Sequence, residues 1–204
     1  MALSREQLEI RKQGVTGSEI AAVAGLSKWG SPIEIWQRKL GLIPEIETTP
    51  AMDRGNFLEA GMREWLAKDT GLVIDESSTL VHRDHPLVIA TPDGIAYDNG
   101  QAVAAVELKS PGPRTCGDWE DPSERQDGIP TYYMPQVIWE MAVLGLDQCI
   151  VGALIWGELR IYRWCFLALD KSPKLFCLSG QKSFGDLSSA RKHHRLTGAR
   201  RPTL

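Results

Sequence analysis

The chain has 204 residues, a formal net charge of −3 from 23 Lys and Arg against 26 Asp and Glu, and 43% hydrophobic residues. That length suits one globular domain with a sizeable core, and the charge balance excludes both a disordered polyelectrolyte and a chain-wide attraction to polyanions, so any nucleic-acid site must be local. No apolar stretch approaches the ~18 residues of a membrane span and the charged start "MALSREQLEIRKQG" lacks the core of a signal peptide, which predicts a cytoplasmic protein without membrane contacts.

Helices dominate the first third. "TGSEIAAVAGL" offers Thr16 or Ser18 as N-cap, Ile20, Val23 and Ala24 as apolar positions and Gly25 as a stop. "SPIEIWQRKLG" repeats the pattern, with Ser31 as N-cap, Pro32 at the first helical position and Gly41 as terminator. A longer helix is predicted from about Met52 to Lys68, with Phe57, Met62, Trp65 and Leu66 near one face, Gly71 closing it and Glu59 carried along it.

From Leu72 the apolar period shortens. "LVID", "STLVH" and "LVIATPDGIAYD" are β-rich runs, and Asn99-Gly100 is a two-residue hairpin signal leading into "AVAAVELKS". A loop from Gly112 to Pro130 precedes "TYYMPQVIWEMAVLGL", read as a helix with Pro135 near its start. "QCIVGALIWGELRIYRWCFLAL" then supplies two strands around Gly157. The order of helices, three or four strands, helix and two strands predicts an α/β fold: a mixed central β-sheet flanked by helices, with an N-terminal helical segment, in a single domain over residues 1–169. Residues 170–204 read as a basic tail: past Asp170, Lys171, Lys174, Lys182, Arg191, Lys192, Arg195, Arg200 and Arg201 face a lone acid, Asp186. Such a run is usually solvated and can add phosphate contacts.

Cys116, Cys149, Cys165 and Cys177 are scattered without a CxxC pair, which reads as buried or free thiols. His82 with His85, and His193 with His194, lack a third partner for a metal. The chemistry instead gathers on the hairpin. Glu107 and Lys109 lie two apart on one strand and so share a face, and folding back at Asn99-Gly100 brings Asp93 near Glu107. Two carboxylates side by side repel unless a hard cation sits between them, and these oxygen donors suit Mg2+ or Mn2+. Lys109 beside a water held there favours hydroxide and stabilises charge on a phosphoryl oxygen. Taken singly, each of the three also fits an ordinary surface ion pair.

Together, Pro-Asp followed fourteen residues later by Glu-x-Lys on an apolar strand is similar to the signature of the PD-(D/E)XK nuclease superfamily. Five segments in order, "VTGSEIAAVAGLSKWGSPIEIWQRKLGL", "RGNFLEAGMREWL", "TPDGIAYD", "VELKSPGP" and "YYMPQVIWEMAVLG", resemble the YqaJ-type viral recombinase family, which includes the phage lambda exonuclease. The resemblance spans roughly Glu9 to Arg163 and implies a PD-(D/E)XK, restriction-endonuclease-like core. It also implies a Mg2+-dependent enzyme, with Mn2+ as substitute, that degrades one strand of linear duplex DNA from its 5′ end and leaves a 3′ overhang for a single-strand annealing protein.

Carried over by position, Asp93, Glu107 and the Leu108 carbonyl hold the metal, and Lys109 addresses the nucleophilic water. Glu59 completes the acidic cluster, through a water in the metal role. Gln136 and Tyr133 match the family's active-site glutamine and tyrosine. Arg11 and Ser18, in "RKQGVTGSEI", match the residues that receive the terminal 5′-phosphate, with Thr91 and Gln136 also facing nucleic acid; arginine grips phosphate bidentately. Outside the motif, Ser18 equally suits a helix cap and Glu59 a solvent-facing helix residue. The chain departs from the family where an amphipathic C-terminal helix is expected after the last strand, and the loop "SPGPRTCGDWEDPSERQDGIP" is acidic in its middle. Relatives form a trimeric ring around DNA, so a homo-oligomer is an implied assembly. An endonuclease or a flap or single-strand nuclease of the same superfamily remains an alternative, as does a non-catalytic DNA-binding protein on the same fold.

Overall fold

Local capping signals set where the helices begin. In the computed structural model, which describes residues 4–165, the first helix, α1 (Arg5–Lys12), starts at a capping box: the Ser4 amide donates to Gln7 Oε1 at 2.8 Å and the Gln7 amide to Ser4 Oγ at 3.2 Å. The apolar-period reading passes over this helix because it buries no side chain, although Ser-x-x-Gln was there to be read. The basic segment 170–204, with Cys177, His193 and His194, lies outside the described residues. A two-residue strand, β1 (Val15–Thr16), leads into α2 (Gly17–Val23), whose N-cap is Thr16, and Ser31 caps α3 (Pro32–Lys39) with Pro32 in its first turn. Helix α4 (Pro50–Thr70) starts two residues before Met52, at a Thr49 cap, and ends at left-handed Gly71 with φ 71°.

The strands that follow are β2 (Val73–Asp75), β3 (Leu80–Val81), β4 (Val88–Ala90), β5 (Gly94–Asp98) and β6 (Gln101–Lys109). Helix α5 (Met134–Leu144) then connects to β7 (Gln148–Ile155) and β8 (Glu158–Cys165). They form a five-stranded mixed sheet in the order β2-β5-β6-β7-β8, antiparallel except for the β6–β7 pair, and a smaller sheet in the order β1-β4-β3. The run "LVIATPDGIAYD" is therefore two strands in different sheets. Pro92 has no amide hydrogen for a ladder and holds the preceding residue extended, so the chain crosses between sheets at Thr91-Pro92-Asp93.

Helices cover both faces of the larger sheet. On one face Val137 and Met141 of α5 pack with Ala105, Cys149, Val151 and Tyr162; on the other, Met62 and Leu66 of α4 pack with Ala104, Val106, Leu108 and Ile150. The expected apolar face of α4 holds only in part. Met62 and Leu66, four residues apart, are 4% and 0% exposed, whereas Trp65 is 42% and Phe57 86% exposed. Phe57 is five residues from Met62, about 140° around the helix and off the seam.

Candidate active site

The hairpin places Asp93 beside Glu107, but through a register change. Asn99 at φ 49° and Gly100 at φ 78° form the tight turn, and pairing starts at Asp98–Gln101 and Tyr97–Ala102. The next pair is Ala96–Ala104, so Val103 is an extra residue, and the register continues to Gly94–Val106. Without the bulge Val106 would stand opposite Asp93; with it, Glu107 does. Alternation then turns Glu107 toward α5 and leaves Val106 and Leu108 in the α4-side core.

Hydrogen bonds knit the cluster. Asp93 Oδ2 accepts the Leu108 amide at 2.6 Å. Glu107, 2% exposed, accepts at Oε1 from Gln136 Nε2 at 2.7 Å and from Lys109 Nζ in a close ion pair. Lys109 Nζ also donates to Gln136 Oε1 at 3.2 Å and lies 5.0 Å from the centroid of the Tyr133 ring. Tyr133 is the N-cap of α5, about one turn before Gln136; its ring packs against Tyr132 at 4.7 Å and Trp119 at 5.6 Å.

Burial and the neighbouring Glu107 push the Asp93 carboxyl well above the usual aspartate range, against the pull of Lys109 and the Leu108 amide. Burial alone would lower the Lys109 ammonium, but Glu107 and Asp93 outweigh it and raise it above ordinary lysine. Glu59, on α4, reaches this cluster through Arg63, whose Nη1 donates to Glu59 Oε1 at 3.3 Å and to the Asp93 carbonyl. Arg63 also lies 3.6 Å from Glu76. Sequence reasoning misses Arg63; its signal was the four-residue spacing from Glu59 on one helix face.

A second cluster forms where α1, β1, α2 and the end of β4 meet. Arg11 donates from Nη1 to Thr91 Oγ1 at 3.1 Å, and from Nη2 to Ser18 Oγ at 2.9 Å and Thr16 Oγ1 at 3.4 Å. Burial draws the guanidinium below its ordinary value, against Glu19 and Glu140. Arg11 and Ser18, seven residues apart, thus converge with Thr91, which is distant in sequence. Thr16 caps α2, which leaves the Ser18 hydroxyl for Arg11, and Thr16 itself joins the cluster unforeseen.

Helix α5 joins the two clusters. Gln136 Nε2, besides reaching Glu107, donates to Glu140 Oε1 at 2.9 Å, and Glu140 is fully buried. Burial first, and Glu107 next, push the Glu140 carboxyl well above the usual glutamate range. A methyl at Gly17, the first residue of α2, would stand 3.1 Å from Glu140 Oε1, so glycine there permits the close approach of α2 to α5. The signal for Glu140 was a lone carboxylate in the apolar helix "PQVIWEMAVL".

The acidic loop neutralises much of its own charge. Asp118 accepts from Lys28 Nζ at 2.8 Å and from the Tyr132 hydroxyl at 2.7 Å, while Arg125 pairs with Glu120 and Asp127, each at 3.0 Å.

Among the described residues no group of three or more His, Cys, Asp or Glu side chains forms a ready-made metal cage. The Asp93–Glu107 pair instead offers hard oxygen atoms, and Glu107 Oε2 is buried without a hydrogen-bond partner. That donor set fits Mg2+ or Mn2+, cations that complete their shell with water and substrate oxygens.

Comparison with known proteins shows the family and the fold. The YqaJ-like viral recombinase domain matches residues 6–147. The uncharacterized protein YqaJ of Bacillus subtilis (strain 168) is 29% identical over 166 residues, covering 79% of this chain and 50% of that protein, so the chain spans about half the length of this curated relative. Among solved structures, the alkaline exonuclease LHK-Exo from Laribacter hongkongensis is similar at TM-score 0.62 and 25% identity, covering 79% of this chain and 82% of its own. The same enzyme in complex with dAMP matches at TM-score 0.63 and 25% identity, over 78% and 81% of the two chains. A phage related exonuclease from Haemophilus somnus 129PT shares the fold at TM-score 0.51 and 15% identity, over 69% and 67%. The mixed sheet with helices on its faces is that of the PD-(D/E)XK alkaline exonucleases. With well over half of its length matched, the chain belongs to the YqaJ-like viral recombinase domain family.

Proposed function

We propose that this protein is a divalent-metal-dependent exonuclease that degrades one strand of linear duplex DNA from the 5′ end, leaving a 3′ single-stranded overhang for phage recombination. The observation that carries this reading is the meeting of two clusters: the Asp93, Glu107, Lys109 and Gln136 group, and the Arg11, Ser18 and Thr91 group, joined through α5. The first suits phosphodiester hydrolysis and the second suits a terminal phosphate. The dAMP bound by LHK-Exo, a deoxynucleoside monophosphate, agrees with the product of such cleavage.

Asp93, Glu107 and the Leu108 carbonyl would hold Mg2+, or Mn2+ in its place, with Glu59 reaching it through a water. When bound, the cation neutralises charge at the scissile phosphate and activates a water nucleophile. Lys109, held by Glu107 and Gln136 over Tyr133, orients that water and donates to the phosphoryl oxygen on which charge builds. Arg11 is preset for an anion, because its guanidinium is held by three neutral hydroxyls. It grips the 5′-phosphate with Ser18, while Thr91 and Gln136 flank the strand. Exposed Ile33, Trp36, Leu40 and Leu42, on α3 and just after it, agree with a homo-oligomer such as a ring around DNA. Handover of the overhang to an annealing protein, in the cytoplasm of a bacterial or phage-infected cell, rests on the family. Among the described residues no helix is long and apolar enough to cross a membrane.

The test is digestion with Mg2+ of linear, nicked and closed circular DNA bearing defined ends. Linear duplex with a 5′-phosphate should be consumed and closed circles spared. Cutting of circular plasmid at a comparable rate refutes the exonuclease in favour of an endonuclease, and attack confined to flaps or single strands refutes it in favour of those substrates. Calorimetry that detects no Mg2+ or Mn2+ uptake points to a non-catalytic DNA-binding protein.

A further inference from the structure

Glu140 is an anomaly in the interior. It lies on an otherwise apolar stretch of α5 between Val137 and Met141, is fully buried, and its Oε2 has no hydrogen-bond partner. A buried carboxyl group is unfavourable against an apolar side chain of equal size, so fold stability alone does not account for it. Its contact is specific: Oε1 takes one amide hydrogen of Gln136 at 2.9 Å. Glu107 Oε1 takes the other at 2.7 Å, and the amide oxygen faces Lys109 Nζ at 3.2 Å.

A glutamine amide can present either end to its surroundings, and its two N–H groups need two acceptors when buried. With both carboxyl groups in place, the nitrogen end is held toward them and the oxygen end toward Lys109. Remove Glu140 and one N–H loses its acceptor, which lets the side chain leave its position. Oε1 accepts in either protonation state, so the arrangement does not hinge on the charge of Glu140. We infer that Glu140 is a positioning residue for the candidate active site: it fixes the Gln136 amide from behind, and through it the placement of Lys109 against Glu107.

This inference rests on the nuclease reading, and the experiment separates the two. Steady-state kinetics on 5′-phosphorylated linear duplex are measured for Glu140→Met and Glu140→Leu, which fill the space but accept no hydrogen bond, so that one misfolded variant leaves the test standing. The expected result is a roughly ten- to hundredfold fall in kcat with KM within twofold, and an unchanged or raised Tm, because an uncompensated buried carboxyl has been replaced by apolar volume. Glu140→Gln, whose carbonyl still accepts, should restore most of kcat. In a Gln136→Ala background, Glu140→Met should cost nothing further. The inference is overturned if kcat stays within twofold of wild type, if kcat and Tm fall together, or if the same factor is lost in the Gln136→Ala background. Full kcat in Gln136→Ala itself would instead sink the active-site reading.

Discussion

Replacing Arg11 by alanine tests the polarity of the proposed enzyme. The guanidinium is held by Thr91 at 3.1 Å, Ser18 at 2.9 Å and Thr16 at 3.4 Å, while its backbone carbonyl accepts from Lys39 Nζ at 2.6 Å. It is therefore fixed before any ligand arrives, and a phosphate gains its charge-assisted hydrogen bonds at little ordering cost. Such a bond contributes about 1.5–3 kcal/mol, which converts to roughly 10- to 150-fold in kcat/KM. Matched linear duplexes ending in 5′-phosphate or 5′-hydroxyl provide the assay. Wild-type protein should favour the phosphate by a factor in that range, and Arg11→Ala should bring the phosphate substrate down to the level of the hydroxyl one, leaving the latter unchanged. Arg11→Lys should keep the charge, lose the two-pronged grip and retain part of the preference. Removing the partly buried guanidinium also takes away three hydrogen bonds and should cost about 1–3 kcal/mol, a fall in Tm of roughly 2–12 °C, so the kinetics are read well below the variant's unfolding. An equal loss on both ends, or no preference in the wild type, would refute the assignment of Arg11 to a terminal phosphate.

Three further outcomes follow from the same geometry. Lys109→Ala should lower turnover by roughly 100- to 1000-fold while gel-shift affinity for duplex DNA survives; retained turnover removes Lys109 from the chemistry. Arg63→Ala removes the ion pair to Glu59 and the hydrogen bond to the Asp93 carbonyl, and should cost about 1–3 kcal/mol, a fall in Tm of roughly 2–12 °C by calorimetric scanning. An unchanged Tm there would show that Arg63 does not brace the acidic cluster. Gly14→Ala would set a methyl 2.3 Å from the Leu87 carbonyl oxygen, the atom that accepts the Val15 amide at 2.8 Å. The strain should destabilise the protein by about 1–3 kcal/mol and lower Tm by roughly 2–12 °C; no shift would mean that β1 and β4 do not need this close approach.

Sequence alone determined the features whose causes are local. Helices α2, α3 and α4 follow from caps and stops that act within a few residues, such as Ser31 with Pro32, and Gly71. The tight turn follows from Asn99-Gly100, because both positions take positive φ. Pro-Asp and Glu-x-Lys were legible because charges in an apolar strand need a reason, and five ordered segments pointed to the family that the comparison then showed.

Tertiary structure decided what depends on residues distant in the chain. The bulge at Val103, which no local rule marks, sets Glu107 rather than Val106 beside Asp93. The split of one β-rich run at Pro92 puts Thr91 within reach of Arg11 while Asp93 opens the hairpin. Glu140 and Arg63 read as ordinary helix residues until packing buries them against partners. Local propensity acts over a few residues through backbone sterics and hydrogen bonds, whereas register, burial and the meeting of charges arise only when separate elements close on one another.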